Sequence, residues 1–546
     1  MRALVLDGYT DEPACLGVPP FISPYARLAY GALEAAGADV GYATIDQWRS
    51  GEAKLDKWAL LAVIRNVAVP GKYLRGMPAS DRELANIADK FHGTRALSLG
   101  VDRSRTPSRL KEAYDNISSE DFDAGLHDLV TKKEFVDRRR TSSEWSSWLV
   151  RGADACIRHP DYGGPLTAEV QMYRGCVRYV TGGCRFCIEP LLGTVDFRQP
   201  EDILDEVIAL SRAGVRNFRL GAQSCVYCYM SKETGSSETP RPNAAAVSGI
   251  LKAIRMAVKP EVFHLDNANP AVIAEHPEEA REITKSIAQN CTSGNVLAFG
   301  LESADPKVAR ANNLNSTAEQ AREAVRIVNE IGSRRGASGL PLVLPGINFV
   351  CGLEGESKES YRLNLEFLKQ VLDEGFMLRR INIRQVIPSR QEFPGVRSKK
   401  DFAEFKKRVR EDIDAPMLRR IAPDGTVLRS VYAELREGGR TFGRQVGTYP
   451  ILVGIPYAVQ IGSRIDVAIT GSGYRSVKGV MYPTDANSAT LSMLEAIPGI
   501  GRKRAMSIVR NRPFRDPSDL WKLIDEPGAL SMAQFHLTTE KVDKPQ

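Results

Sequence analysis

The chain has 546 residues, of which 43% are apolar and 26% charged, and a net formal charge of +7. This length is too great for one ordinary domain, and the composition is that of a soluble globular protein rather than a disordered or fibrous one. No stretch approaches the roughly eighteen uncharged apolar residues that cross a bilayer, and the acidic N-terminus is unlike a signal peptide. We therefore expect several domains, a cytoplasmic location and no membrane partner.

The N-terminal region alternates short apolar runs with helical segments. RALVLD, DVGYATI and WALLAVIR read as strands, and residues 25–36 have helical spacing. This pattern predicts a Rossmann-like domain at residues 1–101 with a doubly wound parallel sheet. No GxGxxG turn follows the first strand, so a dinucleotide site is not indicated. The charged residues 102–165 predict a helical connector.

A second series of alternating strands and helices begins near residue 166. It predicts a parallel barrel, complete or partial, over residues 166–395, with ligands at the carboxyl ends of its strands. Short strands rich in glycine and β-branched residues predict a small β-barrel at 425–487. A compact helical segment built around IPGIGRKRA completes the chain at 488–546. The predicted fold class is therefore α/β, with a small β domain and a helical end.

The strongest chemical signal is the loop RGCVRYVTGGCRFC, which holds Cys176, Cys184 and Cys187. Nine cysteines in so long a chain do not form a disulfide scaffold, and clustered thiols in a reducing compartment indicate metal or redox chemistry. Three thiolates leave one iron of a four-iron cluster open to a cofactor or substrate. A zinc site and buried free thiols are the alternatives. Zinc usually requires a fourth Cys or His, and none lies in the loop.

This loop and the strand ends that follow it resemble the radical S-adenosylmethionine superfamily. The usual family spacing is C-x3-C-x2-C, whereas this chain has C-x7-C-x2-C. The stretches AFGLESAD and NFVCGLEGES are similar to segments of the methylthiotransferase-like members, while the family's Gly-Gly-Glu-like turn has become Gly-Ala-Gln. The resemblance implies a partial TIM barrel, a [4Fe-4S] cluster on the three cysteines, and S-adenosylmethionine bound at the open iron. It also implies cofactor contacts from Gly221, Ala222, Gln223, Asp266, Asn267, Asn269, Gly300, Glu302 and Ser303.

The resemblance implies a reaction as well. In this superfamily an electron from the reduced cluster cleaves the cofactor to methionine and a 5′-deoxyadenosyl radical, which removes hydrogen from an unactivated C–H bond. An electron donor such as ferredoxin or flavodoxin is therefore an expected partner. The protein's task is to orient the reacting groups and to exclude water and oxidants.

The sequence also bears on two further cofactors, cobalamin and an auxiliary iron–sulfur cluster. Some radical enzymes carry a cobalamin domain before the barrel, commonly with a D-x-H-x-x-G loop, and none of the six histidines lies in such a motif. Cobalamin is therefore not expected in the N-terminal domain. Cys225 and Cys228 form a second CxxC that could hold an auxiliary cluster, with Cys351 as a third ligand. Two packed thiols are the preferred interpretation, since cysteine is often buried.

The C-terminal third carries the basic residues. Between 376 and 450 basic residues are nearly twice as numerous as acidic ones, and between 491 and 515 there are six basic residues and one acidic. This distribution indicates a polyanionic partner, although a solvated basic surface is the simpler alternative.

The stretch EAIPGIGRKRAMSIVRNRPF resembles a helix-hairpin-helix motif, whose backbone amides form a cradle for a phosphate. The preceding β domain resembles the TRAM or OB-like RNA-binding barrel of tRNA methylthiotransferases, and the whole resembles an uncharacterised, chiefly archaeal radical enzyme family. A purely structural hairpin is the alternative. The expected nucleic-acid contacts are Gly499, Ile500, Gly501, Arg502, Lys503 and Arg504.

Three functions are compatible with these features. The leading hypothesis is a radical enzyme that modifies a nucleic acid, above all tRNA, by methylthiolation, methylation or a related C–H functionalisation. The second keeps the radical chemistry but acts on a protein or a small molecule. The third is an iron–sulfur protein that binds nucleic acid without turnover. The sequence names neither the modified atom nor the oligomeric state.

Overall fold

The structure is a computed structural model that describes residues 1–11, 15–65, 75–100 and 106–541. Its N-terminal part alternates strands and helices: β1 (Arg2–Asp7), β2 (Phe21–Ile22), α1 (Pro24–Ala35), β3 (Asp39–Thr44), α2 (Ile45–Arg49), β4 (Leu60–Ile64), α3 (Asp81–Asp89), β5 (Thr94–Ser98), α4 (Ser108–Glu112), β6 (Asn116–Ser118), α5 (Phe122–Thr131) and α6 (Ser142–Arg151). Five of the strands form a parallel sheet in the order β3–β1–β4–β5–β6.

The N-terminal sheet extends beyond residue 101, where the sequence analysis places the end of the domain. Strand β6 pairs with β5, because Asn116 lies opposite Ala96 in the parallel register. Residues 102–165 are also more than a connector. Trp145 and Trp148 of α6 are buried in one apolar cluster with residues of α1 and α5. Residues 101–105, at the predicted boundary itself, lie outside the described residues.

The middle of the chain forms the predicted parallel strand–helix series. Its elements are β7 (Thr167–Gln171), β8 (Tyr173–Arg174), β9 (Asp196–Phe197), α7 (Pro200–Arg212), β10 (Asn217–Gly221), α8 (Ala244–Val258), β11 (Val262–Leu265), α9 (Pro270–Glu275), α10 (Pro277–Asn290), β12 (Asn295–Glu302), α11 (Pro306–Ala311), α12 (Ala318–Gly332), β13 (Val343–Cys351), α13 (Lys358–Asp373) and β14 (Arg380–Gln385). Two parallel sheets, β11–β10–β7–β2 and β12–β13–β14, are joined by a bridge between Ala268 and Phe299. Together they form a partial barrel.

The N-terminal part is attached to this partial barrel by more than its linker. Strand β2 comes from the N-terminal part, yet it pairs with β7 at the edge of the barrel sheet. Arg27 of α1 forms an ion pair with Glu206 of α7 at 2.7 Å, and both side chains are fully buried. Arg198 is the second cation on that carboxylate. A buried ion pair of this kind tolerates the loss of either partner poorly.

A helical segment and a closed β-barrel follow. The elements are α14 (Lys399–Arg408), a π-helical stretch (Val409–Asp414), α15 (Ala415–Ile421), β15 (Val427–Glu437), β16 (Arg440–Gln445), β17 (Leu452–Ile455), β18 (Arg464–Ser472) and β19 (Ser476–Met481). The five strands close in the order β15–β16–β17–β19–β18. The loop between β16 and β17 reaches the partial barrel, where the Thr448 amide donates to His264 Nδ1 at 2.9 Å.

The C-terminal segment is a set of short helices tied by two paired strands. It contains β20 (Thr484–Asp485), α16 (Leu491–Glu495), α17 (Gly501–Arg510), α18 (Pro517–Trp521), α19 (Pro527–His536) and β21 (Leu537–Thr538). The predicted α/β class and the small closed barrel are confirmed. Among the helices of the described residues, none combines the length and the apolar character that spanning a membrane requires.

Candidate cluster and cofactor site

A cavity of about 1380 Å³ lies at the carboxyl ends of the partial-barrel strands. The cysteine loop after β8 forms one side of it, and residues of β14, the helical segment and the small barrel form another. Ligands of parallel α/β barrels bind at this end, because the strand-end loops converge there. The position of the cavity therefore identifies it as the candidate site.

All three cysteines of the predicted cluster motif line this cavity. Cys176, Cys184 and Cys187 are partly exposed to it. The Arg390 guanidinium holds their loop, since its Nη1 donates to the carbonyl oxygens of Gly182 at 2.7 Å, Cys184 at 3.1 Å and Cys187 at 3.2 Å. Three carbonyls on one cation fix the backbone on both sides of the CxxC step.

A second arginine acts on a thiol directly. Arg178 Nη1 donates to Cys184 Sγ at 3.2 Å and to the carbonyl of Asn313 at 3.0 Å. The Asn313 amide in turn donates to the carbonyl of Gly183 at 2.9 Å. Gly183 has a φ of +56°, and a Cβ there would lie 2.5 Å from the Pro190 ring. Glycine is therefore required at this turn of the loop.

The three thiols supply the number of ligands that leaves one iron of a four-iron cluster open. A four-iron cluster binds each thiolate through a different iron, so its ligands can be spread along one wall. Burial raises the pKa of Cys176, Cys184 and Cys187, that of Cys184 to about 12. The positive charge of a bound metal centre would favour the thiolate forms that burial disfavours.

Four of the predicted cofactor-contacting residues line the cavity: Asn267, Asn269, Gly300 and Glu302. Asn269 also caps α9, because its Oδ1 accepts from the Ala271 amide at 3.0 Å. Burial raises the pKa of Glu302 to about 8, while the charge of Arg384 acts in the opposite direction. Polar groups at the ends of two neighbouring strands, β11 and β12, are suited to the hydroxyl and amino groups of S-adenosylmethionine.

The other five predicted cofactor residues do not line the cavity: Gly221, Ala222, Gln223, Asp266 and Ser303. Gln223 is fully buried and donates to the Leu220 carbonyl at 3.1 Å. Asp266 is paired with Arg219 and accepts from Tyr449 Oη at 2.6 Å. Ser303 accepts from the Asp305 amide at 3.2 Å. These side chains hold the strand ends together, so the cavity wall gives no support to their predicted cofactor contacts.

Several polar residues of the wall escaped the sequence analysis: Glu189, Ser224, Asn315, Asn348, Asn382 and Arg384. Ser224 follows the expected Gly-Ala-Gln turn by one residue. Asn348 lies on β13, and Asn382 and Arg384 lie on β14. Their positions in these predicted strands were the sequence signal that could have identified them. Burial raises the pKa of Glu189 to about 7.

Cys225 and Cys228 lie next to each other in the core below the cavity. Cys225 lines the cavity and accepts from the Asn269 amide at 3.2 Å through Sγ, whereas Cys228 is fully buried. Burial acts to raise the pKa of Cys225, but hydrogen bonds from Cys228 and from backbone amides outweigh it and lower the pKa. Cys351 is hydrogen-bonded to Glu356 instead. Two packed thiols therefore stay the prediction for Cys225 and Cys228, with an auxiliary cluster as the alternative.

The C-terminal glycines form a tight turn between α16 and α17. Gly499 has a φ of +83° and Gly501 a φ of +57°, and Ile500 between them is buried. Arg504 is not available to a ligand in the way the sequence analysis expects. It pairs with Asp525 at 2.9 Å and with Glu526 at 3.0 Å, and it donates to the Gly499 carbonyl at 2.8 Å.

The two other basic residues of this turn, Arg502 and Lys503, are exposed. Arg502 lies 3.8 Å from Glu495. Phosphate binding at the hairpin therefore stays a prediction that depends on these two side chains and on the amides at the start of α17.

Comparisons with known proteins agree with the family that the cysteine loop indicates. Residues 170–351 match the family described as the radical SAM superfamily. An uncharacterised protein of Methanocaldococcus jannaschii is 44% identical over 508 residues, which cover 88% of this chain and 93% of that protein. The chain belongs to the radical SAM superfamily.

More distant radical SAM relatives have named activities. A protein of Actinobacillus succinogenes named ribosomal protein uS12 methylthiotransferase RimO is 25% identical over 337 residues, 57% of this chain and 69% of that protein. The solved structure of the radical S-adenosylmethionine methyltransferase TsrM from Kitasatospora setae is 15% identical, with a TM-score of 0.45 over 70% of this chain and 73% of that one. Membership of the radical SAM superfamily itself indicates an enzyme and implies a [4Fe-4S] cluster and S-adenosylmethionine. The absence of cobalamin from the N-terminal part stays a prediction.

Proposed function

We propose that this radical SAM enzyme modifies RNA, with tRNA as the substrate, by methylthiolation, methylation or a related replacement of a C–H hydrogen. The observation that carries the proposal is the composition of the cavity wall. Besides the cysteine loop, the cavity lining contains five arginines that we call the basic wall: Arg379, Arg380, Arg384, Arg410 and Arg475. A cavity that joins a cluster site to so much positive charge is suited to a polyanionic substrate.

The residues present divide the chemical work. When bound, the cluster and S-adenosylmethionine supply a carbon radical that can remove hydrogen from an unactivated C–H bond. Arg178 and Arg390 hold the cysteine loop in a fixed shape. Asn267, Asn269 and Glu302 present polar groups to the cavity from neighbouring strand ends. The apolar stretch Pro19–Phe21 lines another side of the cavity. Apolar side chains there help to exclude water from the reacting groups.

A protein substrate is the second candidate. The similarity to a ribosomal protein methylthiotransferase, 25% identical over 337 residues, favours it. The small closed barrel and the basic C-terminal turn do not decide between RNA and a basic protein on their own. The excess of arginine in the cavity favours the polyanion, because a basic ribosomal protein would be repelled there.

The proposal is tested by comparing nucleosides of tRNA and masses of ribosomal proteins from a wild-type strain and a strain lacking this gene. We expect one modified nucleoside to disappear from the tRNA of the deletion strain. Purified protein, reconstituted without oxygen and given a reductant, should restore that nucleoside on the deletion-strain tRNA. A mass change confined to a ribosomal protein would replace the RNA proposal by the protein proposal. In cells we expect a ferredoxin or a flavodoxin to supply the electron.

A further inference from the structure

The basic wall contains more arginine than the protein itself neutralises. Arg379 and Arg380 lie at the start of β14, and Arg475 lies in the turn between β18 and β19. Asp414, at the end of the π-helical stretch, is 3.5 Å from Arg475 Nε. Charged groups removed from water normally acquire partners, so an excess of guanidinium in a cavity requires an explanation.

Hydrogen bonding shows the same excess. Arg379 donates to the carbonyl of Tyr449 at 2.5 Å, and Arg475 donates to the carbonyl of Ile381 at 2.8 Å. The Arg380 guanidinium makes no hydrogen bond within the described part of the chain. It lies over the ring of Tyr449 instead, 3.8 Å from the ring centroid. Its N–H donors are therefore free to bind a ligand in the cavity.

The charges also act on one another. Burial and the charges of Arg380 and Arg475 together lower the pKa of Arg379 to about 10, against the opposing charge of Asp414. Burial likewise lowers the pKa of Arg380, with Arg384 and Arg475 adding to the effect. Three guanidinium groups thus repel one another around a single region of the cavity. An anion bound between them would relieve this repulsion.

We infer that Arg379, Arg380 and Arg475 form a binding site for a phosphate group of the substrate, within the same cavity as the cluster loop. Arginine forks match the oxygens of phosphate in two-point contacts. Tyr474, which is 53% exposed and lines the cavity next to Arg475, offers a ring on which a neighbouring base can stack. This inference rests on the proposed function for the source of the phosphate, which is either the backbone of an RNA or a free nucleotide.

The site is formed by two domains. Arg379 and Arg380 belong to the partial barrel, and Arg475 and Tyr474 to the small barrel. A phosphate held there would fix the substrate relative to both. The small barrel would then place the substrate at the reaction cavity and not only tether it elsewhere.

The test uses the full-length protein and two probes, unmodified tRNA and inorganic pyrophosphate. Binding is measured by filter retention for tRNA and by calorimetry for pyrophosphate, with wild type, Arg380→Ala and Arg475→Ala. We expect each substitution to weaken pyrophosphate binding about tenfold, since it removes charge-assisted hydrogen bonds. For tRNA each should also reduce the slope of log affinity against log salt by roughly 0.7 to 0.9.

The matched control is Arg362→Ala. Arg362 is an exposed arginine of α13 that pairs with Glu359 and Glu366, outside the cavity. Arg362→Ala should leave the affinity for tRNA and the affinity for pyrophosphate unchanged. Thermal unfolding checks the fold of each variant, and Arg475→Ala serves if Arg380→Ala does not fold, because the Arg475 side chain is 53% exposed.

The outcomes separate this inference from the proposed function. Pyrophosphate binding that depends on the arginines, with no binding of tRNA, would support the phosphate site and contradict the RNA proposal. Equal affinities for the wild type and both variants would overturn the phosphate site, whatever binds elsewhere. Displacement of pyrophosphate by S-adenosylmethionine alone would also overturn it, because the arginines would then serve the cofactor's carboxylate.

Discussion

Arginine lines both walls of the cavity, but its hydrogen bonding differs between them. At the side formed by Cys176, Cys184 and Cys187, which we call the cysteine wall, Arg178 lines the cavity and is bonded to a thiol and to Asn313. Arg390 holds the same loop from outside the lining through three loop carbonyls. In the basic wall, Arg380 has an aromatic ring beneath it and no hydrogen-bond acceptor among the described residues. The arginines at the cysteine loop therefore hold the protein's own backbone, whereas Arg380 keeps its N–H donors for a ligand. Arg379 and Arg475 are intermediate, because each donates to one backbone carbonyl.

The largest effect is expected in the cysteine wall. Changing Cys176, Cys184 or Cys187 to Ala should abolish cluster assembly and the conversion of S-adenosylmethionine to 5′-deoxyadenosine, because each supplies one of three thiolates. Iron content and product formation are measured on protein reconstituted without oxygen. Cys291→Ala is the control, since this cysteine is partly exposed but does not line the cavity. Tightly bound zinc without iron in the wild type would contradict the cluster assignment.

A smaller effect is expected from the arginine that holds the same loop. Arg390→Ala removes three hydrogen bonds to loop carbonyls and should lower the iron content without abolishing it, because the thiols remain. Charge-assisted bonds of this kind contribute about 1.5–3 kcal/mol each. Iron content after mild chelation is the sensitive readout, and Arg419→Ala, an exposed arginine of α15, is the control. Iron content equal to the wild type would mean that the loop keeps its shape without Arg390.

Asp414, the carboxylate beside Arg475 of the basic wall, gives a further test of phosphate binding there. Burial raises the pKa of Asp414 to about 6, although Arg475, Arg410 and Arg379 act to lower it. At neutral pH the ionised carboxylate competes with a substrate phosphate. Protonation below pH 6 should therefore strengthen tRNA binding, and Asp414→Asn should strengthen it severalfold at pH 7.5 and remove the pH dependence. A wild-type affinity independent of pH between 5 and 7.5 would show that Asp414 does not face the bound phosphate.

Protonation of the same group also affects stability, and low pH is again the favourable side. The folded-state pKa of Asp414 lies above its ordinary value of 3.8, so the folded state binds the proton more tightly than the unfolded state. Its contribution is fully present below about pH 4 and is lost as pH rises through about 6, an effect on the order of 3 kcal/mol. Urea unfolding at pH 5 and 7.5 should show about half of it, roughly 1.4 kcal/mol, because the remainder is lost between pH 4 and 5. Asp414→Asn should reduce the difference between the two pH values.

The smallest effect is expected at the C-terminal turn. Lys503→Glu should reduce the salt dependence of tRNA binding, because it removes a contact with the backbone and carries no base selectivity. Arg504→Ala should leave that salt dependence unchanged and slightly lower the stability, since Arg504 is paired with Asp525 and Glu526. Equal salt dependence for the wild type and both variants would mean that the turn is purely structural.

The sequence predicts those parts of the molecule whose residues are close together along the chain. Cys176, Cys184 and Cys187 lie on one loop, and their spacing alone places them together at one side of the cavity. The alternation of strands and helices likewise predicts the parallel sheets, because each element is recorded by its own periodicity. The small barrel follows from its short strands and glycines for the same reason.

What the sequence does not contain is which polar side chain at a strand end faces inward to the core and which faces the cavity. Asp266 and Asn267 are adjacent, yet the first is paired with Arg219 and the second lines the cavity. The basic wall is harder still, because Arg380 and Arg475 are separated by the helical segment and four strands. Only the docking of the small barrel onto the partial barrel brings them together.

The place of β2 restricts how this protein can be divided. Because Phe21 and Ile22 supply the edge strand beside β7, a fragment confined to the matched region 170–351 would lack β2 and begin within β7. A fragment starting at 166 would keep β7 with an unpaired edge, which invites aggregation, and would leave Glu206 buried without Arg27. Exchange of N-terminal segments between relatives should therefore succeed only when the β2–β7 pair and the Arg27–Glu206 pair are transferred together. The smallest segment that can be exchanged as a unit is therefore larger than the matched region 170–351.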